Sequence, residues 1–177
     1  NRMMFNPGAA RALAWTRERL AAAGELESLR GLPMAHHEHD ALFVHGSVRD
    51  PLAEYVTETD SRGLSRFREV TTELEEDFTT FRICFVGHNH KPFLATAEGF
   101  IHPHDNLSEF TIAGEKLYVC VGSVGQPRDG DPRACFAVFD GERVRYHRVA
   151  YPTEVTARKV AETDLPGYLG ERLLSGT

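Results

Sequence analysis

Cysteine is scarce in this chain: Cys84, Cys120 and Cys135 are the only ones in 177 residues. An odd number without close spacing excludes a disulfide framework and a zinc knuckle. Each lies in an apolar, strand-like run, which reads as a buried, reduced thiol. Long apolar runs are also missing. None approaches the roughly 18 residues of a spanning helix, and the amino end carries no signal-peptide pattern. The expectation is a cytoplasmic protein with no membrane partner. Positive charge is in deficit, with Lys plus Arg at 20, Asp plus Glu at 26 and a formal net charge of -6. That balance argues against a nucleic-acid binder, which holds phosphate backbones with a cationic excess. It leaves a small phosphate ester as a ligand class.

No internal repeat, linker or low-complexity segment interrupts the chain. Its length and 41% hydrophobic content suit one domain over residues 1–177 with a real core and no internal boundary. A homo-oligomer is left open. Asn6-Pro7 reads as a cap and first turn before a helix over Ala9 to Ala23, with Ala10, Leu13, Ala14, Leu20 and Ala21 on one face and Gly24 as its stop. Ala35 to His39 and Ala41 to Val44 read as a hairpin. Phe67, Val70, Leu74 and Phe78 give a helical period between Ser65 and Phe78, and Glu73, Glu75, Glu76 and Asp77 read as its solvated face. Turn signals at Glu98-Gly99, His104-Asp105-Asn106, Ala113-Gly114-Glu115, Gly130-Asp131-Pro132 and Asp140-Gly141 predict meander-like β structure. Helices over Thr153–Glu162 and Leu165–Leu174 close the chain.

Two apolar runs end in histidine and glycine. Arg82-Ile83-Cys84-Phe85-Val86 runs into Gly87-His88-Asn89-His90, and Ala41-Leu42-Phe43-Val44 runs into His45-Gly46-Ser47. Each reads as a strand ending in a loop. If the second loop stays extended, His88 and His90 point the same way, and three imidazoles at strand ends make a plausible metal shell. A lone histidine there is more often structural, so the repetition carries the argument.

Three motifs, His45-Gly46-Ser47-Val48-Arg49-Asp50-Pro51-Leu52, Phe85-Val86-Gly87-His88-Asn89-His90-Lys91-Pro92-Phe93 and Val121-Gly122-Ser123-Val124-Gly125-Gln126-Pro127-Arg128-Asp129-Gly130-Asp131-Pro132-Arg133, resemble, in order, those of the calcineurin-like metallophosphoesterases. The closer likeness is to the small bacterial and archaeal phosphatases and phosphodiesterases. The resemblance implies an α/β fold, a β-sandwich flanked by helices in four layers (α/β/β/α). It implies metal-dependent hydrolysis of a phosphomonoester or phosphodiester at a dinuclear centre, with a metal-bridging hydroxide as nucleophile. His45 and His88 would bind one metal and His90 the other. Neutral imidazole suits Mn, Fe, Zn, Co or Ni, with manganese first. Asn89, Arg49 and Arg128 are the candidate substrate-binding residues. Asn89 would face away from the metals, and each arginine has a loop-pinning alternative with its neighbour, Asp50 or Asp129.

The same family opens with Asp-x-His, Gly-Asp and Gly-Asn-His-Asp motifs, and none occurs here. The chain is therefore expected to be the carboxyl-terminal portion of such an enzyme, without its amino-terminal strands and helices. Three neutral imidazoles without a carboxylate would hold two dications weakly, and no proton donor serves the leaving group. The competing reading is a non-catalytic scaffold or binding module of the same fold with a degraded metal centre. A cupin-like barrel, which also uses His-x-His, lacks its third ligand at the right distance here. His36, His37 and His39 beside Asp40, the His102 and His104 pair, and His147 are not chosen as ligands. Ser123 has no base spaced to serve it as a nucleophile.

Overall fold

The computed structural model describes residues 7–59 and 65–177, without the side chain of Phe67. Asn6, which the sequence assigned to a helix cap, lies outside the described residues. The chain divides into two compact units, one holding the described residues up to Pro33 with Pro152–Leu174, the other Met34–Tyr151 with Ser175–Thr177.

The first unit is helical. It contains α1 (Pro7–Ala22) and α2 (Leu26–Arg30), and after α3 (Phe67–Glu76) of the other unit, α4 (Thr153–Ala161) and α5 (Tyr168–Ser175), all but the last residue of α5. Gly24 ends α1 as expected. Its N–H donates to the Ala21 carbonyl at 3.1 Å, the Glu25 N–H donates to Leu20 at 2.9 Å, and Gly24 takes a φ of 74°, open to a residue without Cβ. The expected apolar face of α1 is corrected. Ala10, Leu13, Ala14 and Ala21 are exposed, and Gly8, Ala9, Ala12, Trp15 and Leu20 are the half-buried positions. Alanines carry little apolar area, so the large Trp15 ring decides which side turns inward. α5 starts at Tyr168, after Pro166-Gly167, and so three residues later than expected.

The second unit is a sandwich. Its larger sheet runs β1 (Ala35–Glu38), β2 (Ala41–Val44), β3 (Ile83–Val86), β7 (Leu117–Cys120), β4 (Phe93–Thr96), β5 (Gly99–Ile101); the smaller runs β6 (Glu109–Thr111), β9 (Arg143–Val149), β8 (Ala134–Phe139). The predicted hairpin is present, with Ala35 opposite Val44. β2, β3 and β7 are parallel, with Ala41 opposite Ile83 and Ile83 opposite Leu117. The meander expectation therefore fails at β7, which returns to lie between β3 and β4. Leu117, Tyr118, Val119 and Cys120 are all buried, and a strand apolar on both faces belongs at a sheet centre.

Alternation along β3 explains the layers. Cys84 and Val86 face α3 with Val70, Leu74, Phe78 and Tyr118, whereas Ile83 and Phe85 face the smaller sheet with Leu94, Leu117, Val119, Val144 and Tyr146. The expected α/β architecture, a β-sandwich flanked by helices, is the observed one, and within this unit α3 packs on one face of the larger sheet. No described helix is long and apolar enough to cross a membrane.

α3 also corrects a reading of its charges. Glu73 is 4% exposed and forms an ion pair with Arg49 at 2.5 Å, so it is not on a solvated face. Lying three residues after Val70 and beside Leu74, it turns inward with them. Burial pushes its carboxyl up from 4.5 to about 7, against the pull of Arg49. A carboxyl with a raised folded pKa holds its proton more tightly in the folded chain, so its contribution to stability is lost as pH climbs from about 4.5 through about 7. Glu73→Gln removes that titration. Denaturant melts should show the stability of the variant relative to the parent rising by about 3 kcal/mol between about pH 4 and pH 8. A difference that does not change with pH would mean that the carboxyl titrates alike in the folded and unfolded chain, the pull of Arg49 offsetting its burial.

Candidate functional site

Parallel pairing of β2 with β3 delivers two loops to the same edge of the sheet, since parallel strands end on the same side. The loops are tied directly, because the Gly87 N–H donates to the His45 carbonyl at 3.0 Å. His45 Nε2 then lies 2.9 Å from His88 Nδ1, with the ring centroids 4.6 Å apart. Tyr55 stacks on His88 at 3.7 Å between centroids and an interplanar angle of 23°.

The His45 loop is built on a network of charges and hydroxyls. Gly46 N–H donates to the Pro51 carbonyl at 2.7 Å, and Ser47 N–H donates to Asp50 at 3.0 Å. A Cβ on Gly46 would collide with the Asp50 carbonyl oxygen, so this turn requires glycine. Ser47, fully buried, donates its hydroxyl to Glu54 and accepts from the Asp50 N–H at 3.0 Å. Arg49 donates to Glu54 at 2.7 Å and pairs with Glu73. The loop-pinning alternative thus describes what Arg49 does, although its partners are Glu54 and Glu73 and not Asp50.

The second loop is not extended, which corrects the expectation that His88 and His90 point the same way. His88 has a φ of 34° and His90 a φ of 58°, both in the left-handed region, and the Asn89 N–H turns back to Gly87 at 2.5 Å. Such a φ costs energy in a residue with a Cβ and persists only where surroundings enforce it. Here Asn89 supplies the clamp, donating its side-chain amide to the Val56 carbonyl at 2.7 Å. Asn89 is thereby a scaffold residue of the turn. His90 Nδ1 lies 2.7 Å from the Gln126 carbonyl, which can only accept, so that nitrogen carries the proton and the lone pair sits on Nε2. Arg128 donates its backbone N–H to the His90 carbonyl at 3.0 Å and its guanidinium to Gln126 Oε1 at 2.8 Å, while Asp129 pairs with Arg148.

Desolvation lowers the pKa of His88, and His45, then His90 and Arg128, push it the same way. The ring is neutral at pH 7, which is the state a metal needs. Its Nε2 is buried without a well-formed hydrogen bond. The donors therefore have the right chemistry for a divalent transition metal, but the set is short. Among the described residues no group of three or more His, Cys, Asp or Glu is gathered to hold a metal. The structure brings His45 and His88 into contact, and joins His90 to neither in such a group.

Tyr55, Glu54, Glu73 and Gln126 were not singled out from sequence. Glu73 had a legible signal in its spacing from Val70; Tyr55 and Gln126 act through contacts between loops that no local pattern encodes, and Glu54 through Ser47 and Arg49 of its own loop.

No family model matches the chain. It is 29% identical to an uncharacterized protein of Methanocaldococcus jannaschii over 179 residues, covering 97% of this chain and 68% of that protein. It is also 33% identical to a metallophosphoesterase from Sphaerobacter thermophilus whose crystal structure superposes with a TM-score of 0.82, covering 98% of this chain and 71% of that one.

Ser47→Ala tests the support of the first loop. It leaves the Glu54 carboxylate and the Asp50 N–H without their buried partner, and the expected loss is about 1–3 kcal/mol in chemical denaturation. Unchanged stability would show that the hydroxyl does not hold the turn.

Proposed function

Because the chain belongs to the metallophosphoesterase family, we propose that the protein hydrolyses a phosphomonoester or phosphodiester with two divalent metal ions, for which His45, His88 and His90 are ligands. The observation that carries this reading is the contact of His45 with His88, two imidazoles 2.9 Å apart at adjacent parallel strand ends. The proton on His90 Nδ1, set by the Gln126 carbonyl, supports a ligand role for His90 through Nε2. When bound, the metals polarise the phosphoryl group and activate water at neutral pH. Manganese is the first ion to try, since imidazole alone does not select among the first-row dications.

The residues present here do the positioning. Tyr55 restrains the His88 ring, Asn89 locks the turn between the histidines, and the Arg49, Glu54 and Glu73 network fixes the loop of His45. We further propose that the ligands lacking here are supplied by residues preceding Asn1 in the intact protein. The chain covers 68% of one relative and 71% of the other, which leaves room in each for further ligands outside the matched part. A second reading, the same fold serving as a binding scaffold without catalysis, is favoured by the absence of a three-donor group among the described residues.

Hydrolysis of p-nitrophenyl phosphate and bis-p-nitrophenyl phosphate, measured with and without Mn, decides between them. The expected result is metal-dependent turnover that falls on the order of 100-fold or more in His88→Ala, together with lower metal content. Turnover and metal content that survive the substitution would remove His88 from the site. No turnover with Mn, Fe, Zn, Co or Ni would favour the scaffold.

A further inference from the structure

The second unit contains a cavity of about 430 Å³, within the size range of small-molecule sites. Its wall and the His90 loop are one continuous piece. Pro92, two residues after His90, lines the cavity, as does Asp129, the neighbour of the Arg128 whose N–H is bonded to the His90 carbonyl. We propose that this cavity receives the alcohol portion of the phosphate ester and that this alcohol is uncharged and rich in hydroxyls, a sugar or a nucleoside. The proposal rests on the phosphoesterase reading above and adds the substrate class to it.

The lining chemistry selects among leaving groups. Arg133 pairs with Asp105 at 2.8 Å and Asp131 at 2.6 Å, and Arg148 pairs with Asp129 and, at 3.8 Å, with Asp131. Both cations are thus already matched by carboxylates, of which there is one more. An additional phosphate on the substrate would meet this excess negative charge with no uncommitted arginine to hold it. An apolar aryl group would strip water from the ion pairs and offer nothing in return. A hydroxyl both donates and accepts, so a polyol can take the place of water on carboxylates and guanidinium groups alike.

The walls are also fixed before any ligand arrives. Asp131 accepts the backbone N–H of Arg133 at 2.9 Å, and the buried Tyr146 hydroxyl is held by the carbonyls of Phe93 and Cys120 at 2.9 and 3.0 Å. A preformed wall loses little side-chain freedom on binding, which favours small polar ligands that make few contacts each. Ser108 lines the cavity without belonging to the ion-pair network, so it is the place to alter it, whereas the His147 ring turns to the opposite face of β9 from Tyr146 and stacks on Phe136.

The test compares ribose 5-phosphate and adenosine 5′-monophosphate with p-nitrophenyl phosphate in the metal-loaded protein, alongside Ser108→Ala and Ser108→Phe. The ratio of kcat/KM for the sugar-bearing esters over the aryl ester is expected to fall about tenfold in each variant, the loss of one polar contact or its occlusion. Saturation-transfer NMR with adenosine and methyl riboside gives a readout independent of turnover, and its signal should vanish in Ser108→Phe. Turnover of p-nitrophenyl phosphate with an unchanged ratio, and transfer that persists in Ser108→Phe or is absent from the parent, would overturn the subsite while leaving the hydrolase reading intact. No turnover of any ester would overturn the hydrolase reading, and the subsite role with it.

Discussion

The carboxylate of Glu73 is almost out of contact with water, and the loop that carries His45 depends on it. It projects from α3 into the space beneath the loop and meets Arg49, which also binds Glu54, which in turn holds Ser47. A buried charge is expensive unless matched, and an Arg49 guanidinium with several fixed donors is well suited to match two carboxylates at once. Burial of Val70, Leu74 and Phe78 sets where α3 lies, and so sets where this anchor sits. The geometry of the imidazole pair is in this way tied to the packing of a helix that contributes no candidate ligand.

Parallel strands do the remaining positioning. β2 and β3 are neighbours in register, and the loops that follow them begin side by side, joined by the bond from Gly87 to the His45 carbonyl. β7 extends the arrangement, since the segment after it brings Gln126 to His90 and Arg128 to the same backbone. The three motifs that are far apart in sequence meet because three consecutive sheet positions run in one direction.

Much of this is legible in the sequence. The strand ends at His45 and His88 are marked by apolar runs that stop at glycine or histidine, and the β1–β2 hairpin and the core face of α3 follow from local period. The central place of β7 was not, because parallel pairing joins residues more than thirty positions apart and leaves no local pattern beyond an apolar run. Nor was the turn at His88 and His90, since left-handed backbone is usually flagged by glycine and here both residues carry side chains held by tertiary contacts. Glu73 was misread because charge was weighed ahead of position on the helix. The ion partners of Arg49 and Asp129 went the same way: sequence neighbours were assumed, and Glu54, Glu73 and Arg148 took those places.

The imidazole pair sets a constraint on how such a site can work. His88 is desolvated, His45, His90 and Arg128 oppose a positive charge on it against the backbone of Ala53, which favours one, and no carboxylate joins the pair in a metal-holding group among the described residues. Cations held by neutral rings alone bring their full charge into a poorly solvated place. Under the proposed function, a phosphate ester is itself the nearest source of compensating negative charge. Cation and ester would then each raise the affinity of the other, and by the same factor, because linkage between two binding free energies is reciprocal. Where these imidazoles alone hold it, a metal should therefore bind more firmly with the ester present than without it, and every carboxylate added to the site lessens that dependence.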